Sequence, residues 1–311
     1  MKIIVRKFRS LFKIIFPKNK TNITQVEAFN PGHYYSVIPL IDDVKLTNNE
    51  IFSRKDDLLG IDFDINRQIV FLEKFRTLFN EEPFVLSKQL RFDIENDSFS
   101  FDDAPILHYF LREVKPEKII EIGSGNSSAL MLDTNDLYLN KTIKDFTFID
   151  IDLVMLKLNL LPNEETNYVL IEKPIQQVDI NIFKKLTKDD FLFVDTSHVS
   201  KIGSDLHTIL FKIVPILNSG VYIHFHDIRY PFEYTEDMVK NSVFWNEAYL
   251  LRAFLMYNKS FEICFWLNSI VNQNNTNIDL DFLPLSEWDR RFNGNTKDLR
   301  GAGGSIYLRK I

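Results

Sequence analysis

Lys118-Ile-Ile-Glu121-Ile-Gly123-Ser-Gly125-Asn-Ser-Ser128 is the stretch on which the fold turns. A short β-branched run meets Gly-x-Gly and then a segment that opens a helix. Glycine lets a backbone turn sharply and approach a ligand, and the N–H groups at the start of the next helix favour polar or anionic atoms. Two details narrow the reading. Ser128 stands where a dinucleotide fingerprint has its third glycine. Glu121, two residues before the first glycine, places a carboxylate where dinucleotide-binding strands stay apolar. Such a carboxylate suits a ligand with positive charge beside the loop. A pyrophosphate has none; the amino-acid part of S-adenosylmethionine does.

Outward from this stretch, β-branched or aromatic runs at 118–122, 146–150, 168–171, 191–195 and 220–226 alternate with amphipathic segments. Runs of this kind are strands buried on both faces and joined by helical crossovers. The pattern predicts an α/β fold, Rossmann-like, with a mostly parallel sheet and helices on both faces. After a helix at 244–257, the runs 261–267 and 304–309 add two strands, with an Asn-rich loop from Asn268 to Asn277 between them. The core domain is therefore read as 104–311. Residues 21–103 form a polar N-terminal extension with one clear helix, Asp64 to Phe79, in which Ile65, Ile69, Leu72, Phe75 and Phe79 recur at helical spacing.

In an open α/β sheet, ligands collect outside the carboxyl ends of the strands. The second strand ends in Phe148-Ile149-Asp150-Ile151-Asp152. An acid there can take both hydroxyls of a ribose, with Asp150 the first choice and Asp152 its neighbour. The fourth strand leads into Asp195-Thr-Ser-His198 and the fifth into His224-Phe-His226-Asp227, and four of the six histidines lie between 198 and 226. Asp195 and Asp227 are candidate oxygen ligands for a divalent ion such as Mg2+. Asp195, His198 and His226 are the candidate catalytic groups, the imidazoles able to accept a proton. His224, two residues deeper on its strand, is read as structural.

Composition limits the alternatives. The 311 residues are 45% hydrophobic and 26% charged, enough apolar material for a buried core. A single cysteine, Cys264, excludes a disulfide framework and a thiolate metal cluster. No apolar run approaches the ~20 residues that span a bilayer. Residues 1–20 carry seven basic side chains and no acidic one, leaving 30 basic against 43 acidic over the rest. An acidic body argues against nucleic acid as a partner. In the basic segment, Ile4, Phe8, Leu11 and Ile15 fall on one helical stripe, a pattern that suits peripheral contact with an anionic membrane.

The segment Glu121-Ile-Gly-Ser-Gly-Asn-Ser-Ser resembles the first motif of class I S-adenosylmethionine-dependent methyltransferases. The resemblance continues through Phe148-Ile-Asp150, Ile171-Glu-Lys-Pro-Ile-Gln-Gln177, Asp195 to Asp205, His224 to Tyr234 and Trp245 to Phe254, and covers roughly residues 30–309. Together these look like a bacterial branch related to macrocin-type sugar O-methyltransferases and cephalosporin-hydroxylase-like proteins. The resemblance implies a seven-stranded sheet whose last two strands form an antiparallel hairpin. It implies that Glu121, Gly123, Ser124, Gly125 and Ser127 hold the methionine part of S-adenosylmethionine, that Asp150 holds the ribose, and that Gln176 or Gln177 borders the adenine. It also implies acids at Asp195 and Asp227 that hold a metal in the metal-dependent relatives. Some of those relatives have paired acids after the fifth strand, whereas here Ile228 follows Asp227.

The expected activity is methyl transfer to an oxygen of a glycan, nucleotide sugar or related small metabolite. Tyr230, Tyr234, Trp245 and the Tyr34-Tyr35 pair are candidates for an acceptor pocket, and equally for plain packing. The expected setting is cytoplasmic, at the inner face of the membrane, with homo-oligomerisation open. Two other functions fit a similar sheet. One is a NAD-dependent oxidoreductase, which Glu121 and Ser128 disfavour. The other is a non-catalytic membrane-associated binding module.

Overall fold

The computed structural model describes residues 29–46, 51–52, 56–76, 90–93, 96, 98–99, 103–272 and 303–311. The basic segment 1–20 lies outside them. The chain divides into two compact units, Met1–Thr47 and Asn48–Ile311, with the boundary inside the stretch read as an N-terminal extension. In the first unit, α1 (Ile41–Leu46) follows a turn in which the Gly32 N–H donates to the Ile38 carbonyl and the His33 ring stacks on Phe29.

The second unit is built on seven strands: β1 (Lys118–Ile122), β2 (Asp145–Asp150), β3 (Val169–Glu172), β4 (Phe191–Val194), β5 (Tyr222–Phe225), β6 (Phe261–Phe265) and β7 (Ile306–Lys310). They form one sheet in the order β3-β2-β1-β4-β5-β7-β6. β1 to β5 are parallel, and β7 runs antiparallel to both β5 and β6. This is the Rossmann-like sheet with a terminal antiparallel pair that the sequence leads one to expect.

Alternation along the strands divides the core. Ile119, Phe146, Phe148, Phe191 and Phe193 face a layer containing α2 (Ile65–Arg76), α3 (Ala104–Val114), α4 (Asn126–Tyr138) and α5 (Val154–Asn159). Ile120, Ile122, Ile149, Leu192, Val194 and Phe225 face the opposite layer. That layer contains α6 (Asp205–Thr208), which runs on through Ile209–Ile213 and Val214–Ile216, and α8 (Glu247–Leu255), which follows α7 (Glu236–Lys240). Strands buried on both faces have no polar side to give, which is why they read as unbroken apolar runs.

The described residues between 56 and 99 pack within this unit. On α2, Phe75 meets Phe265 and Tyr109 edge-on or stacked, and the Asp64 carboxylate accepts the Asn66 N–H at 2.9 Å to cap the helix. Arg91 is buried against carboxylates of α4 and the following loop. Its Nη1 donates to Asp133 at 2.7 Å, its Nη2 to Asp136 at 2.7 Å, and it also pairs with Glu164.

The Asn-rich stretch departs from the sequence reading. β6 stops at Phe265, and Leu267–Asn272 forms α9 instead of a loop. Asn268 is buried there, its amide oxygen accepting the Tyr230 N–H and its nitrogen donating to the Gly303 carbonyl. These tertiary bonds override the weak helix preference of asparagine. No helix among the described residues is long and apolar enough to cross a membrane.

Candidate active site

The strand order reverses between β1 and β4: β2 and β3 extend to one side of β1, β4 and β5 to the other. At that switch point the crossovers leave on opposite faces, and a crevice opens beyond the carboxyl ends. Ile122 is in register with Ile149 and Val194, and Val194 with Phe225. Gly123, Asp150, Asp195 and His226 therefore all begin at one edge.

Gly123 has φ +86°. Its N–H donates to the Ile149 carbonyl, and the Ile122 carbonyl accepts the Asp195 N–H, each at 2.9 Å. The turn brings the chain to α4, where the Gly125 N–H donates to the Ser128 hydroxyl at 2.9 Å. Beneath the turn lies Glu121, 0% exposed, accepting hydrogen bonds from the hydroxyls of Ser127, at 2.5 Å, and Ser128. Burial pushes its carboxyl up to about 8, against the lowering effect of the two hydroxyls. At neutral pH it carries a proton. The negative charges of Asp195 and Asp150 add to this.

A cleft of about 420 Å³ lies beyond the ends of β1, β2 and β4. Gly123, Asp150, Gln176, Asp195, Lys201 and Ser204 are among the residues that line it. Asp150 accepts the Ser124 N–H at 2.9 Å and the Asp152 N–H at 3.2 Å, and burial raises its carboxyl from the ordinary range despite those bonds. Gln176 reaches across to donate to the Gly203 carbonyl at 2.8 Å; Gln177, the next residue, is exposed and does not line the cleft. Glu121, Ser124, Gly125 and Ser127 shape the turn behind the wall and are not part of the lining. The hydroxyl oxygen of Ser204, on the cleft wall, is buried without a protein partner, as is that of Ser124 in the turn behind it. Buried hydroxyls of this kind are ordinarily met by water or ligand.

Asp195 also belongs to a second group. His198 Nε2 lies 3.2 Å from Asp195 Oδ1 and 3.8 Å from Asp227 Oδ2, and His198 Nδ1 lies 2.7 Å from Glu247 Oε2. Burial alone would lower the imidazole, but hydrogen bonds to Asp195 and Glu247 outweigh it and push it up to about 10. His198 is therefore an imidazolium at neutral pH, held among three carboxylates. Burial would raise Asp195, but the charges of His226 and His198 hold its carboxyl below the usual range. Glu247 is raised by burial, with His198 opposing. His198 and Asp227 both have φ +57°, in the left-handed region. His226 lies against Phe99, its Nδ1 buried without a partner; burial opposes its charge, but Asp195 and Asp227 raise it. His224 stacks on Phe193 and bonds to the Ser305 hydroxyl at 2.8 Å, and burial keeps it neutral.

Sequence reasoning brings Asp195, His198, His226 and Asp227 to one edge but misses Glu247, 49 residues from His198. The residues do not fit a metal. Among the described residues no group of three or more His, Cys, Asp or Glu side chains is arranged to hold one. The position between Asp195 and Asp227 is faced by His198 Nε2, which supplies the positive charge itself. The aromatic candidates separate. The Tyr230 hydroxyl donates to the Asp56 carbonyl and the Tyr234 hydroxyl accepts the Ala248 N–H, and both residues line a second cleft, of about 240 Å³, whose lining shares no residue with the first. Trp245 stays beside the cluster, its ring 4.3 Å from His198. Tyr34 and Tyr35 belong to the first unit.

No protein-family model matches the chain. An uncharacterized protein of Archaeoglobus fulgidus is 31% identical over 193 residues, which cover 60% of this chain and 85% of that protein. Among solved structures, the chain is similar to the S-adenosylhomocysteine-bound methyltransferase PaMTH1 of Podospora anserina, with a TM-score of 0.40 and 14% identity over 89% of this chain and 99% of that one. It is also similar to CalS11, a TDP-rhamnose 3'-O-methyltransferase of calicheamicin biosynthesis, with a TM-score of 0.34 and 13% identity over 62% of this chain and 92% of that one. The fold assignment rests on the strand order and directions described above, not on these scores.

Proposed function

The chain belongs to the same family as the Archaeoglobus fulgidus protein, and for it we propose an S-adenosylmethionine-dependent methyltransferase that acts on a hydroxyl of a small polar acceptor, such as a sugar or nucleotide sugar. One observation carries the reading. The cleft at the switch point, with Asp150 and the unmatched Ser204 hydroxyl in its wall, shares Asp195 with a buried carboxylate–imidazolium cluster. A nucleoside site and a group able to receive a hydroxyl proton are thus continuous.

When bound, S-adenosylmethionine supplies a methyl group on a cationic sulfur that is already a strong electrophile. The residues of this chain do the rest by holding and orienting. Asp150 uses one lone pair of each oxygen on a backbone N–H, and the others remain for ribose hydroxyls. Gln176 commits its nitrogen to Gly203, which leaves its oxygen to accept from an adenine. Glu121 responds to positive charge beside the turn by giving up its proton, so the site gains a negative charge only when a cation occupies it.

His198 does not serve as the proton acceptor, because two hydrogen-bonded carboxylates keep it charged. That role falls to the carboxylates of Asp195 and Asp227, which face the cluster from adjacent strand ends. A hydroxyl oxygen becomes strongly acidic as it takes on the methyl group, so a weak base suffices once the oxygen is held ~3 Å from the methyl carbon.

Isothermal titration with S-adenosylmethionine, S-adenosylhomocysteine and NADH tests the reading. The first two ligands should bind, Asp150→Ala should weaken them at least tenfold, and NADH should give no saturable heat. Silence with both adenosyl ligands, or selective binding of NADH, would end it. Transfer of a labelled methyl group to free hexoses, deoxyhexoses and their nucleoside-diphosphate esters then identifies the acceptor class.

A further inference from the structure

Glu247 opens α8, and both halves of its surroundings are tied to the loop that follows β4. The backbone N–H groups of Asn246 and Glu247 donate to the His198 carbonyl at 3.1 and 3.2 Å. The Asn246 side chain accepts the Ser200 N–H and donates to the Ser200 carbonyl. The loop is thus already fastened to the helix through its backbone. The Glu247 carboxylate is not needed for that, yet it is 1% exposed, with one oxygen on His198 Nδ1 and the other buried without a partner.

A carboxylate buried only to support a fold is a poor choice. An apolar side chain of similar volume would cost less, and a structural acid would have both oxygens satisfied. What the carboxylate does is select one orientation of the ring. With Nδ1–H donated to Glu247, Nε2–H has to point toward Asp195 Oδ1 and Asp227 Oδ2. Trp245 against the ring face restricts its tilt. The two strand-end carboxylates, which would repel each other, are drawn toward one N–H between them.

We infer that Glu247 is a positioning residue: through His198 it sets the spacing and direction of the Asp195 and Asp227 carboxylates that receive the acceptor hydroxyl. This rests on the methyltransferase reading above. The histidine, its two strand-end carboxylates and the helix-borne glutamate act as one unit, and only the carboxylates touch the acceptor.

The test uses the full chain with 15N-labelled histidine. In the wild type, the His198 Nδ1–H proton should resonate far downfield and exchange slowly; its absence in His198→Gln assigns it. Glu247→Ala should remove the resonance. Glu247→Gln, which can still accept through its amide oxygen, should restore it at a position upfield of wild type. With the acceptor class that the wild type methylates, Glu247→Ala should lower kcat at least tenfold while KM for S-adenosylmethionine changes less than threefold, and Glu247→Gln should recover part of the loss. A His198 resonance indifferent to Glu247→Ala, or a kcat within twofold of wild type, overturns the assignment. Failure of the wild type to bind S-adenosylmethionine in calorimetry overturns the reading beneath it instead, whatever the resonance does.

Discussion

The carbonyl oxygen of Asp195 occupies the place where a side chain at position 123 would begin: a Cβ on Gly123 would lie 1.5 Å from it. Neither partner can yield, because both are backbone at the adjoining ends of β1 and β4. Gly123→Ala should therefore cost on the order of 3 kcal/mol or more, through overlap and through its positive φ. Gly125 differs. Its nearest neighbour for a Cβ is the Met155 Cβ at 3.7 Å, so Gly125→Ala should stay within about 1 kcal/mol of wild type. Urea unfolding of the two variants checks the contrast, and equal midpoints would contradict it.

Glu121 should make stability fall with rising pH. Its folded pKa, raised by burial to about 8, exceeds the ordinary 4.5, so the folded state holds a proton that the unfolded chain has lost. The contribution is complete below about pH 4.5 and disappears as pH rises through about 8, amounting to up to a few kcal/mol across that window. Glu121→Gln should flatten the change between pH 5 and pH 8.5 relative to wild type. If urea midpoints of the two proteins shift in parallel over that range, the buried proton is not there.

A linked effect concerns ligand binding. Positive charge beside the glycine turn should release the Glu121 proton at pH 7. The heat of S-adenosylmethionine binding should then depend on the ionisation enthalpy of the buffer, and should lose that dependence in Glu121→Gln. Identical heats in phosphate and Tris for wild type would show that the proton stays.

Arg91 ties the segment before α3 to α4. Arg91→Met strands the buried Asp133 carboxylate, which among the described residues keeps the backbone N–H groups of Arg91 and Phe92. Breaking a buried pair on one side should cost about 3 kcal/mol, and Arg91→Met with Asp133→Asn should recover part of it. A double variant less stable than the sum of the single losses would count against this account.

Because His198 faces the position between Asp195 and Asp227, magnesium chloride should give no saturable heat in calorimetry, with or without S-adenosylmethionine. Saturable binding lost in Asp195→Asn would restore the metal that the sequence suggested.

The sheet was legible because strands buried on both faces must be apolar throughout, and that leaves a signal within a few residues. The strand-end acids were legible for the same reason, as breaks in apolar runs. Glu247 was not, since it meets His198 only when α8 folds back over the sheet. The protonation of His198 was hidden too, as it depends on two carboxylates, Asp195 and Glu247, from separate elements. Tyr230 and Tyr234 were half legible: their sequence does not reveal that each hydroxyl is bonded within the fold, nor that both rings line a cleft separate from the one at the switch point. Asn268 misled in the opposite sense: its turn-like composition concealed a buried amide bonded to Tyr230 and Gly303.

β7 enters between β5 and β6, although it follows β6 by about 40 residues. While the polypeptide is being synthesised, β6 has no place in the sheet and β5 presents an open, apolar edge. Until the last strand emerges, that edge is a template for pairing with another nascent chain. Shortening the delay, or shielding the edge with a chaperone, should raise the yield of native protein.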